Sequence, residues 1–291
     1  MDWFQLSLVC ALSLATADAF TKKYLPGYSG GQLLLVRFTV PGMLLVPWLV
    51  LYPIPAVPLV FWAWLAILVP LELFAMLIYM RAIRDAPLYQ TLPYLSFTPV
   101  FNILTGWIIL SEHVSWMGAG GIFLVVIGSY LLNIHLLRSN GQLKWFEPLR
   151  AILYQQGSRR MLGVAFIYSI TSVLGKLAMQ YTGPTSFGAF YYVVVGLATL
   201  IVVVLIQPSD LRILGRNLRW HLIIGVLMAI MVITHFFAID QIEAAYMVAV
   251  KRLSLLFGIL LGAWLLHEKG LSRNLFAASL MVAGVVLILR A

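Results

Sequence analysis

Apolar residues in this chain run for about a membrane's width at a time and are interrupted by short polar connections. Roughly 20 apolar residues in a helix cross a bilayer core. Ten such runs lie along the sequence, near 3–21, 32–51, 59–80, 88–110, 118–137, 161–180, 186–206, 221–239, 245–266 and 274–290. The pattern predicts an all-α integral membrane protein with ten transmembrane helices. One connection is long: residues 138–160 are basic and carry Trp145, Phe146, Leu149 and Leu153 among their charges, as an amphipathic interfacial segment does.

The chain also repeats itself. A shift of 156 residues pairs Ala82 with Ala238, Ile83 with Ile239, Gly106 with Gly262, Leu110 with Leu266, Glu112 with Glu268, Leu124 with Leu280 and Gly128 with Gly284. Apolar matches arise by chance in so biased a sequence. A glutamate at a helix end with glycines at fixed distances on both sides does not. Five helices per half is an odd number, so the second half enters the membrane from the opposite face. The expected organisation is therefore two inverted five-helix repeats, residues 1–137 and 161–291, joined by the linker 138–160. Such repeats support alternating access to a site near mid-membrane.

Composition sharpens this picture. Of 291 residues, 62% are apolar and 10% charged, against about half and a quarter in soluble domains. The net charge of +9 does not point to nucleic acid, because the basic residues gather in the odd-numbered connections and the even-numbered ones hold none. By the positive-inside rule the odd connections and the 138–160 linker are cytoplasmic, and both termini face outward. The chain opens with Asp2, and Lys22 and Lys23 follow the first apolar run, so that run reads as a retained helix rather than a cleaved signal. The single cysteine, Cys10, excludes an internal disulfide. No His/Cys/Asp/Glu cluster has metal-ligand spacing, no cofactor or nucleotide motif appears, and no catalytic constellation marks an enzyme. Trp48, Trp62, Trp64, Trp107, Trp116, Trp220 and Trp264 fall near helix ends, where the ring anchors a helix at the interface.

Two segments, LYQTLPYLSFTPVFNILTGWIILSEHVSWMGAGGIFLVVIGSYLL and YMVAVKRLSLLFGILLGAWLLHEKGLSRNLFAASLMVAGVVLIL, resemble the EamA repeat, the unit of the ten-helix drug/metabolite transporter superfamily. The resemblance rests on a helix ending in Leu-x-Glu (Leu110–Glu112, Leu266–Glu268), a polar turn, and a helix with a late glycine (Gly128, Gly284). It implies a ten-helix secondary transporter. Substrate is left open, since relatives move amino acids, sugar phosphates, nucleotide sugars and other metabolites. Members are often drawn with cytoplasmic termini, against the charge count here.

Ionisable residues within the spans are the substrate candidates, because an intramembrane charge costs several kcal/mol and faces the bundle interior or a pathway. They are Arg37, Glu72, Lys176, Lys251 and Arg252; Asp18 lies near a helix end and is expected to meet water. At helical spacing Lys251 shares a face with Met247, Ser254 and Gly258. The repeat partners of that face are Leu95, Thr91, Thr98 and Asn102, with Thr105 beyond. These stripes suit a shared cavity, and they equally suit a packing face. The Lys251–Arg252 dipeptide resembles the pair that holds the substrate phosphate in the organic-phosphate translocators. The first-half lysine of those proteins is replaced by Leu95, so the resemblance implies anion binding more than phosphate specificity. Arg offers a bidentate fork and Lys a point charge for such a group.

Other roles for these residues remain open at this point. Lys251–Arg252 also suits an ion pair with Glu72, and Glu72 a proton-coupling carboxylate. Tyr79 and His235 are repeat partners about a turn from a connection and are candidates to line a gate. Gly258-x-x-x-Gly262, opposite Asn102-x-x-x-Gly106, is expected to pack helix 9 on helix 4.

The expected protein is a transporter of a small organic anion or zwitterion. Lys251 and Arg252 would take the charge, and Ser254, Thr91, Thr98, Asn102, Arg37, Tyr79 and His235 would line the site. Transport would be driven by an ion gradient or exchange in the cell membrane. Its partners are the small-molecule substrate and the lipid bilayer, and one copy suffices. The alternative is an exporter of neutral or aromatic metabolites in which Lys251 is locked in an internal ion pair.

Overall fold

The computed structural model describes residues 1–85, 92–134, 156–266 and 275–291. Among them there is no strand. Lipid offers no partner for a backbone amide, so helices, which satisfy their own, are what so apolar a chain forms.

Ten helical spans follow one another. They are α1 (Trp3–Tyr24), α2 (Gly30–Leu51), α3 (Leu59–Asp85), α4 (Leu92–Phe97 continuing as Thr98–Leu110), α5 (Trp116–Ile134), α6 (Gln156–Met179), α7 (Pro184–Ile206), α8 (Leu218–Gln241), α9 (Ala244–Lys251, then Leu253–Leu266) and α10 (Leu275–Ile288). Seven of these are long and apolar enough to cross a membrane alone, and the shorter ones are apolar as well. The sequence places all ten. It misses that α6 begins at Gln156, inside the expected linker; residues 138–155 of that linker lie outside the described residues.

Local chemistry sets the ends. The Asp2 carboxylate caps α1 by accepting from Gln5 N–H at 2.8 Å, and Lys22 and Lys23 close its last turn against the helix dipole. Ser29 and Gln32 form a reciprocal capping box at the start of α2. Pro184 opens α7 after Gly183, whose φ of 76° suits glycine.

Three spans are irregular inside the membrane. In α2 the residues Leu35–Thr39 form a π turn. The first part of α4, Leu92–Phe97, is a 3₁₀ helix. Helix α9 tightens at Arg252, whose N–H also reaches Ala249 O three residues back. Shifted by 156 residues, Leu92–Phe97 falls on Val248–Leu253, which contains that turn. Equivalent stretches of the two repeats therefore both carry 3₁₀-type hydrogen bonding.

The helices form two compact units that do not follow the repeats. The first comprises Met1–Leu73, Gly175–Gln241 and Phe257–Glu268; the second comprises Phe74–Leu174, Ile242–Leu256 and Lys269–Ala291. In the first unit α1 packs on α8, and α7 packs on α2 and α8. The α2–α7 contact is close: a Cβ on Gly42 would lie 2.7 Å from Tyr192 O, and one on Gly196 2.7 Å from Phe38 O. Cys10 is fully buried. In the second unit α5 packs on α10, and the first half of α9 packs along α4. Large apolar side chains such as Trp116 (95% exposed), Leu205 (77%) and Trp264 (75%) face outward, a surface for lipid and not for water.

Candidate functional site

The second unit holds the Lys-Arg dipeptide. Lys251 ends the first half of α9, and Arg252 is the residue between the halves, with φ −65° and ψ −14°. Its N–H reaches back to Val248 O (3.2 Å) and Ala249 O (3.1 Å), and its carbonyl accepts from Leu255 N–H at 3.0 Å. The helix thus tightens by one turn at the two cations. The Nε of Arg252 is buried and has no hydrogen-bond partner among the described residues. The guanidinium lies within electrostatic reach of the Tyr168 and Tyr79 phenols. Both rings pack on a buried cluster of Tyr94, Met161 and Val164.

The depth of Arg252 follows from one hydrogen bond. Ala244 N–H, the first of α9, donates to the Glu112 carboxylate just beyond α4, at 2.9 Å. The first half of α9 therefore starts where α4 ends and runs back along it. Ala244 to Arg252 is about 12 Å of helix at 1.5 Å per residue, so Arg252 lies about two turns from the end capped by Glu112.

On α4, Thr98, Asn102 and Thr105 share a face, and all three are buried. That face meets α6. Asn102 Oδ1 lies 3.0 Å from Ser172 Oγ, and Thr105 Oγ1 is 3.4 Å from Ser169 O and 3.1 Å from its own Phe101 O. Thr98 Oγ1 donates to Leu95 O at 2.7 Å. Thr98 and Thr105 are thus satisfied by helix carbonyls. Asn102 Nδ2 has no partner among the described residues. Ser254 is 8% exposed, Lys251 is half-buried, and Met247 is fully buried. A Cβ on Gly258 would meet nothing within 4 Å among the described residues. Thr91 and Glu268 lie outside the described residues.

The first unit holds the other ionisable residues. Arg37, in the π turn of α2, pairs with Asp18 of α1 through Nη2 and Oδ1. Asp18, expected to meet water, is half exposed and half committed to this pair. Tyr192 of α7, buried against Phe38 of α2, lies within electrostatic reach of Glu72, Arg37 and Cys10. His235 stacks edge-on against Phe236 at 5.1 Å. Of the residues picked from sequence, Arg252, Lys251, Ser254, Thr98, Asn102 and Tyr79 thus fall in one unit, and Arg37, Glu72 and His235 in the other.

Sequence reading passed over Tyr168, Ser172 and Tyr192. A signal for the first two was present, since Tyr168, Ser172 and Lys176 recur at i, i+4 and i+8 on one face of α6. Three of the tryptophans expected at the interface also make protein contacts within the first unit: Trp48 Nε1 donates to Thr185 O at 2.9 Å, Trp220 stacks on Tyr24, and Trp62 meets Phe190 edge-on.

Compared with known proteins, the sequence matches the family model described as "EamA-like transporter family" twice, over residues 2–134 and 159–290. No curated protein matches it. A solved structure described only as "Crystal structure of protein" is similar in fold, with a TM-score of 0.75 at 15% sequence identity, covering 98% of this chain and 94% of that one.

Proposed function

The chain belongs to the EamA-like transporter family, and from that premise we propose that it is a secondary transporter of a small organic anion or zwitterion. It works by alternating access between the inverted repeats 1–137 and 161–291, with 138–160 as their cytoplasmic linker. The observation that carries this reading is the pair of cations at the tightened turn of α9, Lys251–Arg252, where a buried guanidinium Nε has no hydrogen-bond partner among the described residues. A cation within a spanning helix faces the bundle interior and marks a substrate site or pathway.

In this reading Arg252 takes the anionic group through its planar fork, and Lys251 adds a point charge. Ser254, Thr98, Asn102 and Tyr79 line the site. Arg37 and His235, in the first unit, are further candidates for contact with the substrate. Glu72 is the coupling carboxylate, supported by its place among Tyr192 and Arg37. An ion gradient or substrate exchange supplies the energy. The protein sits in the cell membrane, and one copy suffices.

Thermal unfolding of the detergent-purified protein tests this reading. Organic phosphates, carboxylates, amino acids and amines would be compared on wild type, Lys251→Ala and Arg252→Gln. A ligand at about 100 times its Kd adds roughly 2.7 kcal/mol to native-state stability. Stabilisation by one anion class, lost in both variants, is expected. If anions leave wild type unmoved, or the variants respond as wild type does, the cations are structural and a neutral-metabolite exporter takes the place of this reading.

A further inference from the structure

At one end of the first unit, the connection from α1 to α2 and the connection from α7 to α8 are pinned together. Tyr24 stacks flat on Trp220, with ring centroids 3.4 Å apart and planes 9° from parallel. The Tyr28 hydroxyl accepts from Asn217 Nδ2 at 3.0 Å and lies 3.2 Å from His221 Nε2. Asp210 accepts from Ser29 Oγ at 2.9 Å and from Gln32 Nε2 at 3.0 Å. The 3₁₀ helix Pro208–Gly215 buries Ile213 against Leu35 and Val203 and leaves Arg212 exposed.

That pinning gathers cations. Lys22 and Lys23 end α1, Arg212 and Arg216 lie in the connection to α8, and Arg219 stands in its first turn; all five are exposed. Lys23 Nζ is 5.4 Å from the centre of the Tyr24 ring, and the Arg219 guanidinium 5.4 Å from that of Trp220. The stacked rings thus hold two of the cations on adjacent helices. The one carboxylate in either connection, Asp210, is buried and committed to Ser29 and Gln32. Asp18, a turn before Lys22, is bridged to Arg37. Five exposed like charges with no exposed carboxylate in their connections make a strongly positive surface, which favours an anion.

The kind of anion follows from what lies beside them. Leu218, Leu222, Val226 and Ile230 of α8 recur every four residues, and all are exposed. This apolar track starts next to Arg219 and runs about 18 Å at 1.5 Å per residue. One leaflet of a bilayer's roughly 30 Å hydrocarbon core is of similar depth. A soluble anion would meet the cations and leave the track; a phospholipid uses both.

We infer that this end of the first unit binds an anionic phospholipid, with the headgroup phosphate among Lys23, Arg219 and the neighbouring cations and an acyl chain along the α8 track. Basic residues clustered at the ends of spanning helices attract such headgroups. A zwitterionic phospholipid fits the track equally well but brings no net charge to the cations. The surface is separate from Lys251–Arg252, which belong to the second unit, so the inference goes beyond the transport reading and does not depend on it.

The test titrates full-length protein in detergent with dioleoyl phosphatidylglycerol or dioleoyl phosphatidylcholine, which differ in the headgroup alone, and reads Kd from the thermal shift. Phosphatidylglycerol is expected to bind about tenfold more tightly. The double variants Lys23→Gln/Arg219→Gln and Arg212→Gln/Arg216→Gln should each weaken its binding by about fivefold per cation removed and leave phosphatidylcholine unchanged. Arg290→Gln, which removes an exposed cation from the end of α10, should keep the wild-type preference. Equal Kd for the two lipids, a preference unchanged in either double variant, or a fivefold loss in Arg290→Gln overturns the inference. So does inorganic phosphate, if it gives a shift of the same size that the double variants lose, since the surface would then take a soluble anion. Each double variant decides alone where the other melts before titration.

Discussion

Glu112 shows how one side chain joins two distant parts of the chain. Glu243 starts α9, but its side chain makes no capping bond; Glu112 supplies the cap instead, accepting from Ala244 N–H. The carboxylate also faces the positive end of the helix dipole. The approach to it is shaped by the end of α4. Ser111 adopts a left-handed conformation (φ 56°), and Glu112 N–H closes back on Gly106 O at 3.1 Å. A Cβ on Gly106 would lie 2.8 Å from the Glu112 carboxylate. The glycine and the glutamate six residues later are therefore one device in the first repeat, and the sequence repeats the pair at Gly262 and Glu268. The recurrence is legible in the sequence. The partner is not, because a cap donated by a residue far along the chain leaves no local pattern. Glu112→Ala is expected to lower stability by about 0.5–2 kcal/mol. Glu112→Gln keeps the acceptor and loses the charge, so it should lose less. Thermal unfolding of both variants checks this, and an unchanged Tm in Glu112→Ala would show that the cap contributes nothing.

At the scale of elements, glycines decide which helices touch. Helices in lipid gain little from excluding water, so close backbone approach does more of the work. On α5, a Cβ at Gly121 would lie 2.6 Å from Gly284 O of α10, and a Cβ at Gly284 would lie 2.6 Å from Gly121 O. Gly128, one of the late glycines of the repeat signature, would place a Cβ 2.7 Å from Ala277 O. The obstacles are backbone, so the two helices would have to separate. Gly121→Ala is expected to destabilise the protein by about 1–3 kcal/mol. Its neighbour is the control: a Cβ at Gly120 meets nothing within 4 Å, so Gly120→Ala should be neutral or slightly stabilising. Equal Tm values for the two variants would refute a close α5–α10 seam. Gly258 teaches the same lesson from the other side. Its G-x-x-x-G spacing is as good as any in the chain, yet a Cβ there would meet nothing within 4 Å among the described residues. Spacing identifies a surface that permits close packing, and only the fold says whether a helix lies against it. The 3₁₀-type turns of α4 and α9 are likewise invisible to hydropathy, which reads both as continuous apolar runs.

At the scale of the molecule, periodicity and charge carried most of the information. Ten apolar runs, a shift of 156 residues and an odd number of helices per repeat sufficed for the architecture, because a bilayer imposes one element type and one length. The site was legible only in part. Arg252, Asn102 and Tyr79 stand out as polar groups at helical spacing or as repeat partners, whereas the Asp18–Arg37 pair depends on which helices become neighbours. Orientation is an expectation of the charge pattern alone. Basic residues resist translocation, and here every basic residue of the connections lies in an odd-numbered one. Single cysteines measure it. Ala56, in the second connection, and Ser209, in the seventh, are both exposed, and Cys10→Ala removes the chain's one native thiol. In intact cells a membrane-impermeant maleimide should label Ala56→Cys, and it should label Ser209→Cys only after permeabilisation. The reverse pattern would place both termini in the cytoplasm, as they are often drawn in relatives. Some positive residues would then face outward against the usual bias, and the orientation would have to be set by something other than the connections' charge.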